Sequence, residues 1–172
     1  MPTSPSQKTK TLELTAPEKL NDLHILDLFD SGEPSITEYL LKQARKAQSA
    51  RQAAVYVSCE KGTLNVMAYY TLSNGSVERS GLPKRLQRNS PNIHPITLLG
   101  RMGVTLAAQG QGFSIDLLQD AIERAISASE TVASSAIIVH PLNERLADFY
   151  GKHAGFKPCP ELSPITMILP LQ

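Results

Sequence analysis

Apolar and polar positions follow two different periods along this chain, and the changes of period mark its elements. In Phe113–Ala128, residues Phe113, Ile115, Leu117, Leu118, Ala121, Ile122 and Ala125 recur mostly at helical spacing, which predicts an amphipathic helix. The short apolar run Ile96–Val104 ahead of it reads as a central strand, and Gly110 and Gly112 fall in the turn between the two. Ala53–Cys59 and Leu64–Leu72 read as strands around a turn at Lys61-Gly62, Ala133–Val139 as another strand, and Asn143–His153 as a second amphipathic helix. Phe156 and Ile165–Leu169 complete the sheet. Strand alternation sends the neighbours Tyr69 and Tyr70 to opposite faces, one to the core and the other to a cleft or partner. Asn74-Gly75 predicts a turn, followed by a long polar connection, Ser80–Pro95, in which Leu82, Pro83 and Leu86 fold as a short helical lid. These elements define an α/β protein, a mixed sheet with helices packed on its faces.

Toward the N-terminus, polar Met1–Thr11 is expected to be a flexible tail, and residues 12–172 a single domain. Leu12–Leu14 suits a short edge strand. Ser35–Ala47 suits a helix, with Ser35 and Glu38 as its capping box and Ile36, Leu40 and Ala44 on one face. With 172 residues and 41% hydrophobic composition, the chain can bury a sizeable core. It has no apolar run near the roughly 20 residues of a membrane span and no basic-then-apolar leader, so a cytoplasmic protein away from membranes is expected. Cys59 and Cys159 do not establish a disulfide framework. His94, His140 and His153 are too widely spaced to place two ligands on one helix, so no catalytic metal is expected.

The formal charge of +1 conceals segregation. Seven acids oppose three Lys or Arg in the first 38 residues. By contrast, Tyr39–Cys59 carries Lys42, Arg45, Lys46 and Arg51 with no acid, and acid-free Arg79–Ile115 carries Arg79, Lys84, Arg85, Arg88 and Arg101. Such fields can guide a phosphate backbone, although each charge taken singly is equally well a solvated surface residue.

A strand, a glycine turn and a helix can hold a diphosphate. Glycine lets a ligand approach the backbone, and the free N–H groups of the helix start supply donors and partial positive charge. The same turn also serves a purely structural reversal. What separates the two readings is the rest of the C-terminal half, which resembles the Gcn5-related N-acetyltransferase (GNAT) superfamily. Gln109, Gly112 and Ser114 occupy the marked positions of its acyl-coenzyme A motif, with serine replacing a smaller residue. Asn143, Tyr150 and Gly155-Phe156 resemble its terminal pattern, with one extra residue between Tyr150 and Gly155. From about Leu14 to Leu171, the order of LTAPEKL, FDSGEPSITEYLLKQA, MAYYTLS, PITLLGRMGV, AAQGQG and ADFYGKHAGF is similar to acetyltransferase toxins of type II toxin-antitoxin modules.

This resemblance implies a mixed, largely antiparallel sheet with a central splay that opens a slot for acetyl-CoA. It implies strand-edge contacts from Met102 and Val104, a pyrophosphate turn of Gln109, Gly110, Gln111, Gly112, Phe113 and Ser114, and a supporting role for Asn143, which is equally an ordinary helix cap. Tyr150 is implied as the acid that protonates the departing thiolate. The implied acceptor is the free α-amine of aminoacyl-tRNA, with Lys42, Arg45, Lys46, Lys84, Arg85 and Arg88 as a tRNA-binding rim. A homodimer is also implied, as is a ribbon-helix-helix antitoxin that brings the complex to promoter DNA. The residues themselves leave open a small-molecule or protein amine as acceptor, or a weakened acyl-CoA-binding regulator.

Overall fold

The computed structural model describes residues 11–171, so the tail expected over residues 1–11 lies, apart from Thr11, outside the described residues. Seven strands form one sheet in the order β1-β2-β3-β4-β5-β7-β6. They are β1 Glu18–Lys19, β2 Ala54–Cys59, β3 Val66–Glu78, β4 Ile93–Val104, β5 Ala136–Val139, β6 Lys157–Pro158 and β7 Met167–Pro170. Neighbours pair antiparallel except β4 and β5, which run parallel. Leu14 makes only an isolated bridge to Glu60 rather than a strand.

Helices α4 (Phe113–Ser129) and α5 (Glu144–Ala154) cover one face, where Ala68, Tyr70, Leu117, Leu118, Ala121, Ile137, Val139 and Ala147 share a core. On the other face, α1 (Pro34–Glu38), a π-helical turn over Tyr39–Gln43 and α2 (Ala44–Ser49) pack on Val55, Val57 and Tyr69. The same face carries a third cluster, in which Leu82 and Leu86 beside and within α3 (Lys84–Gln87) meet Ile96, Ala136 and Ile138.

Several local signals yield to this packing. Tyr69 and Tyr70 do point to opposite faces, but helices cover both, and neither ring is exposed. Tyr69 donates to the Ile36 carbonyl at 2.6 Å, and Tyr70 donates to Asp120 of α4. Asn74-Gly75 makes no turn. β3 runs straight through it, with Asn74 opposite Thr97 and Gly75 opposite Ile96, so that cross-strand pairing continues to Glu78 and Ile93. A Cβ on Gly75 would lie 3.0 Å from Ile96 Cδ1, so the glycine makes room for a neighbouring side chain rather than for a reversal. Nor does Ser35 cap its helix. Glu33 is the N-cap without a side-chain bond, and Pro34, whose φ is preset for a helix start, takes the first position.

Candidate active site at the sheet splay

The parallel β4–β5 ladder pairs Ile96 with Ala136 through Leu99 with Val139 and then stops, while β4 continues to Val104. The split is accompanied by a bulge. Tyr70 pairs with Met102 but Leu72 with Leu99, leaving β4 one residue longer opposite Thr71. Thr71 Oγ1 accepts the Arg101 backbone N–H at 3.1 Å, and a Cβ on Gly100 would lie 2.9 Å from that oxygen. The bulged strand carries Arg101, whose guanidinium lies 4.0 Å from the Tyr39 ring centroid.

Two cavities occupy the opening. One of about 340 Å³ is lined by Leu99, Gly100, Arg101, Met102, Ser114, His140, Leu142, Phe149 and Tyr150, with Ser35 and Ile36 of α1 on its wall. The other, about 440 Å³, runs over Met102, Val104, Gln109, Gly110, Gly112, Phe113, Ser114, Asn143 and Arg145. They share Ile36, Met102, Ser114, Leu142, Leu146 and Phe149, so together they form a groove from the splay to the start of α4.

That helix start is bare. Gly112, at φ +85°, is its N-cap without a side-chain bond, and the first helical bonds come from Ile115 and Asp116 to the Gly112 carbonyl. The preceding N–H groups are therefore the donors that a helix start leaves for an anion. Phe113 and Ser114 are half-buried and Gln111 is exposed. Gln109 contributes differently from its neighbours. Its Nε2 donates to the Ser31 and Val104 carbonyls, both at 2.8 Å, and ties the Phe29–Glu33 loop to the turn. Thr105 strengthens the tie by accepting from Asp30 N–H at 3.0 Å and donating to Asp30 O at 3.1 Å.

Tyr150 sits in the middle of α5, its ring 5.5 Å from those of Phe149 and Phe156 in edge-to-face contact. Burial pushes its phenol up to about 12, so it holds its proton at neutral pH. The helix continues to Ala154 and ends on Gly155 at φ +77°, with Phe156 N–H returning to the Tyr150 carbonyl at 3.4 Å. Asn143 is the N-cap of α5, its Oδ1 accepting Leu146 N–H at 3.0 Å, while also lining the larger cavity.

The basic residues divide. Lys84, Arg85 and Arg88 are exposed on and after α3, and Lys42 and Lys46 are exposed along the first helical segment. Arg45 is exposed too, but its guanidinium donates to the His24 and Asn21 carbonyls and so braces a loop. None of these six lines either cavity. Arg101, His140, Leu142 and Phe149 do, although local sequence does not mark them as site residues. The charge run named Arg101, but only the bulge and the splay bring it to the slot. Among the described residues, Glu18, His24 and Cys59 hold possible ligand atoms within 4.8 Å of one another. His24 accepts Asn21 N–H at Nδ1 and donates to Glu18 from Nε2, both at 2.9 Å, so the protein already occupies both ring nitrogens.

No family model matches the chain. The tRNA-acetylating toxin of Mycobacterium tuberculosis (strain ATCC 25618 / H37Rv) is 36% identical over 136 residues, covering 79% of this chain and 81% of the relative. The solved structure of AtaT complexed with acetyl-methionyl-tRNAfMet has a TM-score of 0.84 at 31% identity, covering 92% of this chain and 95% of that one. A tyrosine-to-phenylalanine mutant of AtaT, bound to the C-terminus of the antitoxin AtaR and acetyl-CoA, has a TM-score of 0.74 at 28% identity over 91% of this chain and 92% of its own.

Proposed function

Because the chain belongs to the family of tRNA-acetylating toxins, we propose that it transfers the acetyl group of acetyl-CoA to the free α-amine of an aminoacyl-tRNA. Acylation leaves that nitrogen unable to accept a growing peptide, and translation stops. The observation that carries the reading is the groove itself, which joins the bare start of α4 to Tyr150 through a split between parallel strands.

In this reading Gly112, Phe113 and Ser114 hold the pyrophosphate through backbone N–H groups, Gly110 and Gln111 shape the turn, and Gln109 locks it. Met102 and Val104 offer the unpaired edge of β4 to the pantetheine amides. Tyr150, protonated at neutral pH, delivers its proton to the thiolate as the carbon–sulfur bond breaks. Asn143 sets the start of the helix that carries Tyr150. Lys84, Arg85 and Arg88, with Lys42 and Lys46, form the rim that holds tRNA phosphates. Its support is that α2 and α3 lie on the same face of the sheet, opposite α4 and α5. Arg45 serves that rim by holding the loop beneath it. No helix among the described residues is long and apolar enough to cross a membrane. The partners of this reading are a ribbon-helix-helix antitoxin, a second copy of the chain and, through the antitoxin, promoter DNA. The test is transfer of labelled acetyl from acetyl-CoA to intact charged tRNA, with product lost when the amino acid is first removed. Equal labelling of uncharged tRNA, or of none, overturns the acceptor.

A further inference from the structure

His140 follows directly on Val139, the last paired residue of β5, and alone among the described residues lines both the cavity holding Tyr150 and a second cavity of about 690 Å³. The second cavity lies on the α3 side of the sheet, with Ile96, Leu98, Ile138 and Leu162 as apolar wall and Glu78 and Glu161 as its carboxylates. The residue therefore stands where the groove of the acyl donor meets a separate way in.

Its tautomer is set by the protein. Thr166 is buried and has one hydroxyl proton, which it donates to the Pro164 carbonyl at 2.9 Å. Toward His140 Nδ1, 3.0 Å away, the same oxygen can then only accept. Nδ1 carries the proton and Nε2 keeps its lone pair, the arrangement that a proton acceptor requires. A backbone bond from Cys159 N–H to the Thr166 carbonyl at 2.9 Å holds the anchor in place.

We propose that His140 is a catalytic residue whose Nε2 takes the proton of the attacking amine, which enters through the second cavity. The nitrogen lone pair forms the new C–N bond at the thioester carbonyl carbon, and the C–S bond breaks with its electron pair on sulfur. Nε2 takes the proton lost by nitrogen, the thiolate takes the Tyr150 proton, and both side chains re-equilibrate with solvent. The charged and titratable groups around His140 are Arg101 and Tyr150 in one cavity and Glu78 and Glu161 in the other. Thr166 is a positioning residue.

The inference rests on the acetyltransferase reading, and the test separates the two. With charged tRNA saturating, His140→Ala is expected to lower kcat by roughly 100-fold, the lower end of what a positioned acid or base contributes. Its acetyl-CoA affinity by calorimetry should be unchanged. Added imidazole should restore turnover in a saturable way that depends on the imidazole's own basicity, and His140→Gln should respond less because its amide fills the space. Turnover indistinguishable from wild type, or a loss that no imidazole restores, overturns the role. If the wild type acetylates a minimal amine but not charged tRNA, the acceptor assignment falls while the same comparison is made on that amine. If it acetylates neither, the enzyme reading falls.

Discussion

Gly112→Ala separates backbone strain from ligand contact. At φ +85° an L side chain is strained, and the left-handed conformation costs roughly 1–2 kcal/mol per residue. No atom beyond its two chain neighbours lies within 4 Å of the added Cβ, so distant parts of the fold contribute no steric penalty beyond that. Gly155 is a matched control, with φ +77°, the same empty surroundings and a place at the far end of α5. Both alanine variants should therefore lose about 1–2 kcal/mol of stability, seen as a fall of a few degrees, roughly 2–8 °C, in Tm for a chain of this size. Only Gly112→Ala puts its methyl group into the space above the bare helix start. Loss of one charge-assisted hydrogen bond there, about 1.5–3 kcal/mol, corresponds to acetyl-CoA binding weakened roughly 10- to 150-fold. Calorimetric titration of acetyl-CoA beside thermal unfolding of wild type and both variants makes the comparison. Equal acetyl-CoA affinity in the two variants refutes the placement of the diphosphate at this turn.

Three further outcomes follow from the site. Tyr150→Phe should bind acetyl-CoA like wild type yet lose on the order of 10²- to 10⁴-fold in kcat with the acceptor saturating; equal turnover removes the phenol from the mechanism. The Tyr150 phenol, pushed up to about 12 by burial, lies above the ordinary tyrosine value of about 10. Its contribution to stability is thus complete below about pH 10 and is lost as pH rises toward about 12. Urea unfolding across that window should show the decline in wild type and a shallower one in Tyr150→Phe, with buried Tyr69 and Tyr70, both also raised, accounting for the remainder. Reversing Lys84, Arg85 and Arg88 to glutamate should weaken charged-tRNA binding and flatten its salt dependence while sparing acetyl-CoA affinity; filter-binding curves that coincide at low salt reject α3 as part of the rim.

Local sequence was sufficient where an element carries its own instruction. The period of Leu117, Leu118, Ala121 and Ala125 specifies the buried stripe of α4 wherever the helix packs. Gly112 marks a backbone conformation that few other residues adopt. The interval from Asn143 to Gly155 contains both ends of α5, a side-chain cap and a left-handed stop. What depended on distant neighbours was not legible. Asn74-Gly75 has the composition of a turn, but pairing with Thr97 and Ile96 outweighs a two-residue preference. Ser35 and Glu38 have the spacing of a capping box, but Pro34 starts the helix earlier. Tyr69 and Tyr70 alternate as expected, but whether the second face is a cleft or a core depends on α4, which follows β3 only after β4 has been made. The slot itself belongs to the tertiary structure. β4 bulges opposite Thr71 of the neighbouring strand, β5 leaves it after Val139, and only then does Arg101 line one cavity with His140 and Tyr150, which come from a later part of the chain. Periodicity and capping are set by the few residues along one turn or strand, whereas register, splay and the convergence of side chains are set by pairings that no local window contains.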